Sequence, residues 1–266
     1  MPHSNSSMKT PYLEHNRQAW DHMAQQDCPW SRAVSAADIA AARAGQWHVK
    51  LTPNAMPKGW LDEVKGLKIL CLASGGGQQA PILAAAGADV TVLDASLQQL
   101  AQDQMVATRD QLQLQIIQGD MCDLSQFNDQ QFDVIFHPIS NLYIPDPMPV
   151  WQECFRVLKV AGHLLSSFYN PVVFVGDRQD DVNAGIIHAR YKIPYADVKD
   201  LSQAQLQQKI QQQQALVFGH SLTQQIAGQL DAGFLLKGFY EDFQPQPRFV
   251  IDHYLPTFLA TRVVKP

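Results

Sequence analysis

The sequence predicts an α/β fold: a doubly wound sheet of seven mostly parallel strands, helices on both faces, and an antiparallel C-terminal strand. Three observations carry this. Short apolar runs alternate with helical stretches between residues 67 and 168, a pattern that builds parallel sheets covered on both sides. Right-handed crossovers then impose the doubly wound arrangement. Two further strands, Leu235–Tyr240 and Thr257–Val264, come after these units and add an antiparallel pair at the sheet edge.

The first strand is Leu67–Ala73, apolar almost throughout, as a strand buried on both faces must be. It enters Ser74-Gly75-Gly76-Gly77. A helix over Gln78–Ala86 follows, with Pro81 in its first turn and Gly87 at its stop. Asp89–Leu93 is the second strand. Ser96 and Gln99 have capping-box spacing and open a helix reaching Arg109. Leu114–Gln118 and Phe132–Phe136 are the third and fourth strands. A helix over Met148–Leu158 leads to Gly162, which turns the chain into the fifth strand, Leu164–Phe168.

Residues 1–10 are polar and read as disordered. Tyr12–Ala24 is helical, Asp27–Ser31 breaks it, and a second helix runs from an N-cap at Ser35 to Ala44, stopped by Gly45. An N-terminal helical arm over 1–55, ahead of a main domain over 56–266, is therefore expected. After Asn170-Pro171 the alternation fails, and a cap insertion over about 170–220 is expected, carrying Asp177, Asp180 and Asp181. Within it Ser202–Gln214 reads as a surface helix, striped by Leu201, Leu206, Ile210 and Leu216. Ser221–Ala232 is the last helix, ended by Gly233.

The net charge is -5 with Lys and Arg scattered, so no basic face offers itself to phosphates, and nucleic acid is an unexpected partner. The four cysteines, Cys28, Cys71, Cys122 and Cys154, include no pair at metal or redox spacing. They read as reduced thiols filling a core, and no metal is expected. Met1–Thr10 has no apolar segment of a signal peptide, and no run is long enough to cross a membrane. A cytoplasmic protein acting on a small molecule, without membrane attachment, is the expectation.

The chemistry is concentrated in Ile69–Ser96. A strand entering a glycine cluster and a helix leaving it lets a ligand approach the backbone and points free N–H groups at it. In open α/β sheets that place lies at the carboxyl ends of the strands, where ligands bind. Asp94 ends the second strand, where its carboxylate can accept from both hydroxyls of a ribose. These features alone specify a nucleoside-bearing ligand. Gly75, Gly77 and Ala80, with Asp94 as acidic partner, also fit a dinucleotide fingerprint. A nicotinamide-dependent oxidoreductase, or a non-catalytic cofactor-binding protein, is thus an alternative.

Four landmarks narrow this. Ile69–Gly77 resembles motif I of the class I (Rossmann-like) S-adenosylmethionine-dependent methyltransferases. Gly119-Asp120-Met121 resembles that family's adenine contact after strand three. Phe132–Phe136 resembles its fourth strand, and Phe155–His163 its turn into strand five. The run LASGGGQQ, with the later HSLTQQIAGQLDAGF and GFYED, is similar to a bacterial subgroup with methyltransferase type 11/25-like domains. Two departures stand out: Cys71 replaces the motif I acid, which helps hold the methionine end of the ligand, and Ala73 replaces the first glycine.

The resemblance implies S-adenosyl-L-methionine as cofactor. It implies that Ser74, Gly75, Gly76 and Gly77 pass its amino-acid end, that Asp94 takes the ribose, and that adenosine touches the backbone at Ala95 and Ser96. Ser96 doubles as a helix cap. Asp120 would accept from the adenine amino group and Met121 would pack beside the ring. His137 follows strand four, where the methyl group faces in this fold; it would orient the cofactor, serve as base, or simply be satisfied by backbone. Trp20, in the arm, would cover the site or pack. The segment His137–Asn141 is not the Asn/Asp-Pro-Pro-aromatic motif of amino-nucleobase methyltransferases. A general base is needed only where the acceptor carries a proton; the candidates are His137, Tyr143, His188 and His220.

Overall fold

A computed structural model describes residues 11–26, 28–176, 182 and 185–266. The polar N-terminal decapeptide and Asp177, Asp180 and Asp181 lie outside the described residues. Strands β1 (Lys68–Leu72), β2 (Asp89–Asp94), β3 (Leu114–Gln118), β4 (Phe132–His137), β5 (Leu158–Tyr169), β8 (Leu235–Asp242) and β9 (Phe258–Val264) form one sheet in the order β3-β2-β1-β4-β5-β9-β8. β9 runs antiparallel to both β5 and β8, as expected at the C-terminal edge. The chain steps outward from β1 to β3, then returns to β4 on the other side of β1. That reversal places the crevice between the carboxyl ends of β1 and β4, the topological switch point of such sheets.

Period-two alternation divides the core. Ile69 and Cys71 of β1 pack into one apolar layer with Ile39, Leu83 and Val106, while Leu70 and Leu72 face the other layer with Trp151, Cys154 and Phe234. The first layer is covered by α2 (Ala36–Arg43), α3 (Gln79–Ala85) and α4 (Leu97–Asp110), the second by α5 (Met148–Val157). Ser35 caps α2 through a reciprocal capping box with Asp38. Cys71 and Cys154 are buried apolar thiols, and all four cysteines are free.

Three local expectations are corrected. Strand five begins at Leu158, not Leu164, because the turn at Gly162 is an irregularity inside it: the register against β4 shifts and Ala161 takes a positive φ of 62°. Ser96 accepts from the Gln99 N–H at 3.1 Å, but the Gln99 side chain bonds Ser31 Oγ at 2.7 Å instead of returning to Ser96. The last helix opens with a π-helical turn, Thr223–Ala227, before α8 (Gly228–Asp231). The cause is local. The Trp151 indole N–H donates to the Gln224 carbonyl at 3.0 Å, and the Gly228 N–H bonds Thr223 O, one residue further back than an α-helix requires.

Helix α1 (Pro11–Gln25) lies against α4. Beyond β5 come a 3-10 turn (Pro171–Phe174), the paired β6 (Tyr195–Ala196) and β7 (Phe218–Gly219), and between them α6 (Asp197–Asp200) and α7 (Gln203–Gln211); Phe174, Tyr195 and Val217 form a small third apolar cluster. The Gln-rich α7 has no buried residue and is a surface helix.

Candidate functional site

A cavity of about 580 Å³ opens over the carboxyl ends of the strands. The sheet order fixes how its wall is arranged. Ser74 and Gly75 follow β1, Asp94–Ser96 end β2, and Gly119–Met121 follow β3. On the other side of β1, Pro138–Ser140 follow β4, Tyr169 ends β5, and Phe258 begins β9. The roof is α1, through Leu13, Asn16, Arg17, Trp20 and Met23.

The loop after β1 is tied to β2 and α4. Asp94 Oδ2 accepts the Gly75 N–H at 3.0 Å and Oδ1 accepts the Ser96 N–H at 2.9 Å. Burial pushes the Asp94 carboxyl up, against the lowering pull of these backbone bonds. Both of its backbone partners are donors, so each carboxylate oxygen keeps a lone pair for a further donor. A Cβ on Gly75 would stand 2.9 Å from Gln99 Cβ and 3.2 Å from Asp94, so only glycine fits. Ser74 Oγ is buried without a hydrogen-bond partner among the described residues, and Ser74 lines the cavity.

The structure gathers Trp20, Ser74, Gly75, Asp94, Ala95, Ser96, Asp120, Met121 and Tyr143 on this cavity. Gly76 and Gly77 stand behind its wall. A Cβ on Gly76 would meet Trp30 O at 2.7 Å, and one on Gly77 would meet Ala33 Cβ at 2.9 Å, so both serve close packing of the loop against the arm and α4. Trp20 and Tyr143 meet edge-on, with centroids 5.2 Å apart.

None of the three candidate histidines lines the cavity. His137 is fully buried; Nδ1 lies 3.0 Å from Leu72 O and Nε2 2.7 Å from Asn141 Oδ1, so it ties β4 to β1. Burial lowers its pKa, against these bonds. His220 is buried against Asn141 O at 3.0 Å, and burial lowers its pKa too. His188 is exposed beside the bridge at Gly176 and Ala189.

Several residues on or behind the wall were not anticipated from sequence. Behind it, Asp21 Oδ1 accepts from Ser96 Oγ at 2.6 Å and from Gln98 N at 3.2 Å, so α1 supplies an acid to the N-terminus of α4. Asn16 donates to Tyr143 O at 2.9 Å and accepts from Leu216 N at 2.7 Å, locking the roof to the segment leading into β7. Arg248 donates to the Tyr169 hydroxyl and lies over the rings of Tyr169 and Phe249, at 5.8 and 5.5 Å. These contacts join segments up to 200 residues apart, which no local pattern reveals. No group of three or more potential metal ligands occurs, and no helix is long and apolar enough to cross a membrane, among the described residues.

Residues 70–166 match the Methyltransferase domain family. The chain is 50% identical over 254 residues to "Uncharacterized methyltransferase YbaJ" of Bacillus subtilis (strain 168), covering 95% of this chain and 98% of that protein. It is 30% identical over 120 residues to the "Ubiquinone biosynthesis O-methyltransferase" of Pseudomonas putida (strain GB-1), spanning 44% of this chain and 52% of that one. A crystallised S-adenosylmethionine-dependent methyltransferase from Mesorhizobium loti shares the fold, with a TM-score of 0.58 at 18% identity, over 86% of this chain and 98% of that chain.

Proposed function

The chain belongs to the class I S-adenosylmethionine-dependent methyltransferases, and from that premise we propose that it methylates a small organic acceptor that shares the cavity with the cofactor. The observation carrying this reading is the single cavity bordered by the ends of β1, β2 and β3 on one side and of β4, β5 and β9 on the other. Its volume, about 580 Å³, is within the range of small-ligand sites.

The residues present fit S-adenosylmethionine. Asp94 is a carboxylate with acceptor capacity left for two ribose hydroxyls, Ser74 Oγ is a buried orphan on the wall, and Gly75 leaves the backbone bare. Asp120 and Met121 line the cavity, where Asp120 would accept from the adenine amino group and Met121 would pack on the ring. The cofactor supplies a methyl group already activated by its positively charged sulfur. The protein's work is alignment and exclusion of water. Trp20 and Tyr143 close the roof over the bound pair, and Tyr169 and Phe258 form the acceptor wall. With no histidine on the wall, Tyr143 is the remaining one of the four candidate bases.

In this reading residues 1–55 are the N-terminal helical arm and 56–266 the methyltransferase domain, with about 170–220 as its cap insertion, and the acceptor is neither a nucleic acid nor a membrane.

The test uses purified protein and methyl-labelled S-adenosylmethionine in a bacterial extract, separated afterwards by size. Label is expected in a small-molecule product resolved chromatographically from S-adenosylmethionine, in excess over extract without the added protein, and its loss is expected in Asp94→Ala. Label only in protein or RNA would refute the small-molecule reading. Binding of a nicotinamide dinucleotide without binding of S-adenosylhomocysteine would refute the cofactor assignment.

A further inference from the structure

Motif I lacks its acid in this chain: Cys71 is a fully buried thiol. A different carboxylate lies beneath the same loop. Asp103, on α4, is fully buried, and its Oδ2 accepts the Gly76 N–H at 3.0 Å. Its Oδ1 has no hydrogen-bond partner among the described residues. The acid sits in the apolar stripe of its helix, between Leu100 and Val106, both buried. A charged group at such a position costs several kcal/mol and persists where something requires it. Cys71 packs in the same buried layer as Leu100 and Val106, the residues that flank Asp103 on α4, and burial, with the Asp103 charge adding to it, raises the thiol's pKa.

We propose that Asp103 supplies from α4 the carboxylate that motif I lacks at Cys71, and that it positions the glycine loop for the methionine end of the cofactor. This rests on the S-adenosylmethionine reading above. Asp103 is a positioning residue: it does not line the cavity, but it shares the Gly76 N–H with the Gln99 carbonyl, at 3.0 and 3.1 Å, and the neighbouring Gly75 amide is held by Asp94. The loop is thus clamped by two acids from two elements. The negative charge also lies behind a loop facing a cationic ligand, where water is excluded and screening is weak.

Among the described residues, the titratable groups facing Asp103 are Asp94 of β2 and Cys71 of β1. Burial, aided by the charge of Asp94, pushes its carboxyl up to about 7, while backbone N–H groups of Gly76 and Gly77 pull the other way. The clamp is therefore strongest when Asp103 is ionised, and cofactor affinity rises with pH.

The experiment is calorimetric titration of the full chain with S-adenosylhomocysteine between about pH 6 and about pH 8, the interval that brackets the raised carboxyl. Affinity of the parent protein is expected to rise severalfold across it. Asp103→Asn is expected to bind about tenfold more weakly at the upper pH, as for one weakened charge-assisted hydrogen bond, and to show a flat profile. The double variant Cys71→Asp with Asp103→Asn returns an acid to β1 under the same loop, and should recover most of that affinity. Parent-like affinity and profile in Asp103→Asn would overturn the proposal, as would a double variant no tighter than Asp103→Asn. Should Asp103→Asn fail to fold, Cys71→Asp alone decides: paired acids should shift the rise in affinity to higher pH, and an unshifted profile overturns the proposal. A parent protein that does not bind S-adenosylhomocysteine would instead refute the cofactor reading.

Discussion

Replacing Asp94 removes the carboxylate that joins the loop after β1 to the end of β2. In the protein this group accepts Gly75 N–H at 3.0 Å and Ser96 N–H at 2.9 Å, and in the proposed complex it would also accept from the ribose. Asp94→Ala loses the ligand bonds and loosens the loop. The expected loss is about 1–3 kcal/mol of binding free energy, the scale of one or two charge-assisted hydrogen bonds, or roughly tenfold to a hundredfold in Kd. Asp94→Asn is the sharper variant. Both backbone partners are donors, so its amide must present an NH₂ to one of them. It should therefore bind no better than alanine despite its near-identical shape. Titration with S-adenosylhomocysteine, with thermal unfolding as a control for folding, reads both. Parent-like affinity in both variants would refute the assignment of Asp94 to the ribose.

Other expectations follow from the same contacts. Asp103 has a folded pKa of about 7, above its ordinary 3.8, so the folded state holds more protons than the unfolded one between those values, and ligand-free stability falls as pH rises through that window. In urea unfolding Asp103→Asn should gain on the parent by about 1–3 kcal/mol between about pH 5 and about pH 8, because it removes a buried charge; a gap that does not grow with pH would contradict this. Asn16→Ala removes side-chain bonds to Tyr143 O at 2.9 Å, Leu216 O at 3.0 Å and Leu216 N at 2.7 Å. It should cost about 2–4 kcal/mol locally by leaving buried backbone groups unsatisfied, seen as faster amide exchange in α1 and β7 with β1–β5 unchanged.

The inner strands β1, β2 and β4 were legible in the sequence because a strand buried on both faces is written locally, as an apolar run ended by turn residues. The glycine loop and Asp94 were legible for the same reason: their spacing is set by one βαβ unit. The rest depends on distance along the chain. Gly76 and Gly77 look like ligand glycines until the arm and α4 are folded against them. His137 occupies the expected place after β4, yet its ring turns into the core, because Leu72 and Asn141 offer it partners there. The far wall of the cavity unites Tyr169, Arg248 and Phe258 from three separate segments. Asp103 left one trace, a lone carboxylate in the buried stripe of α4. Only the fold shows that it reaches the Gly76 amide of the glycine loop.

The most direct measurement is a crystal structure of the protein with S-adenosylhomocysteine. The ribose hydroxyls should lie within hydrogen-bond distance of Asp94, with adenine beside Asp120 and Met121. The sulfur should point toward Pro138–Ser140 and Tyr169, under the roof of Trp20 and Tyr143. A ligand seated elsewhere, or one whose sulfur is walled off from the β4–β5 side of the cavity, would contradict methyl transfer at this site.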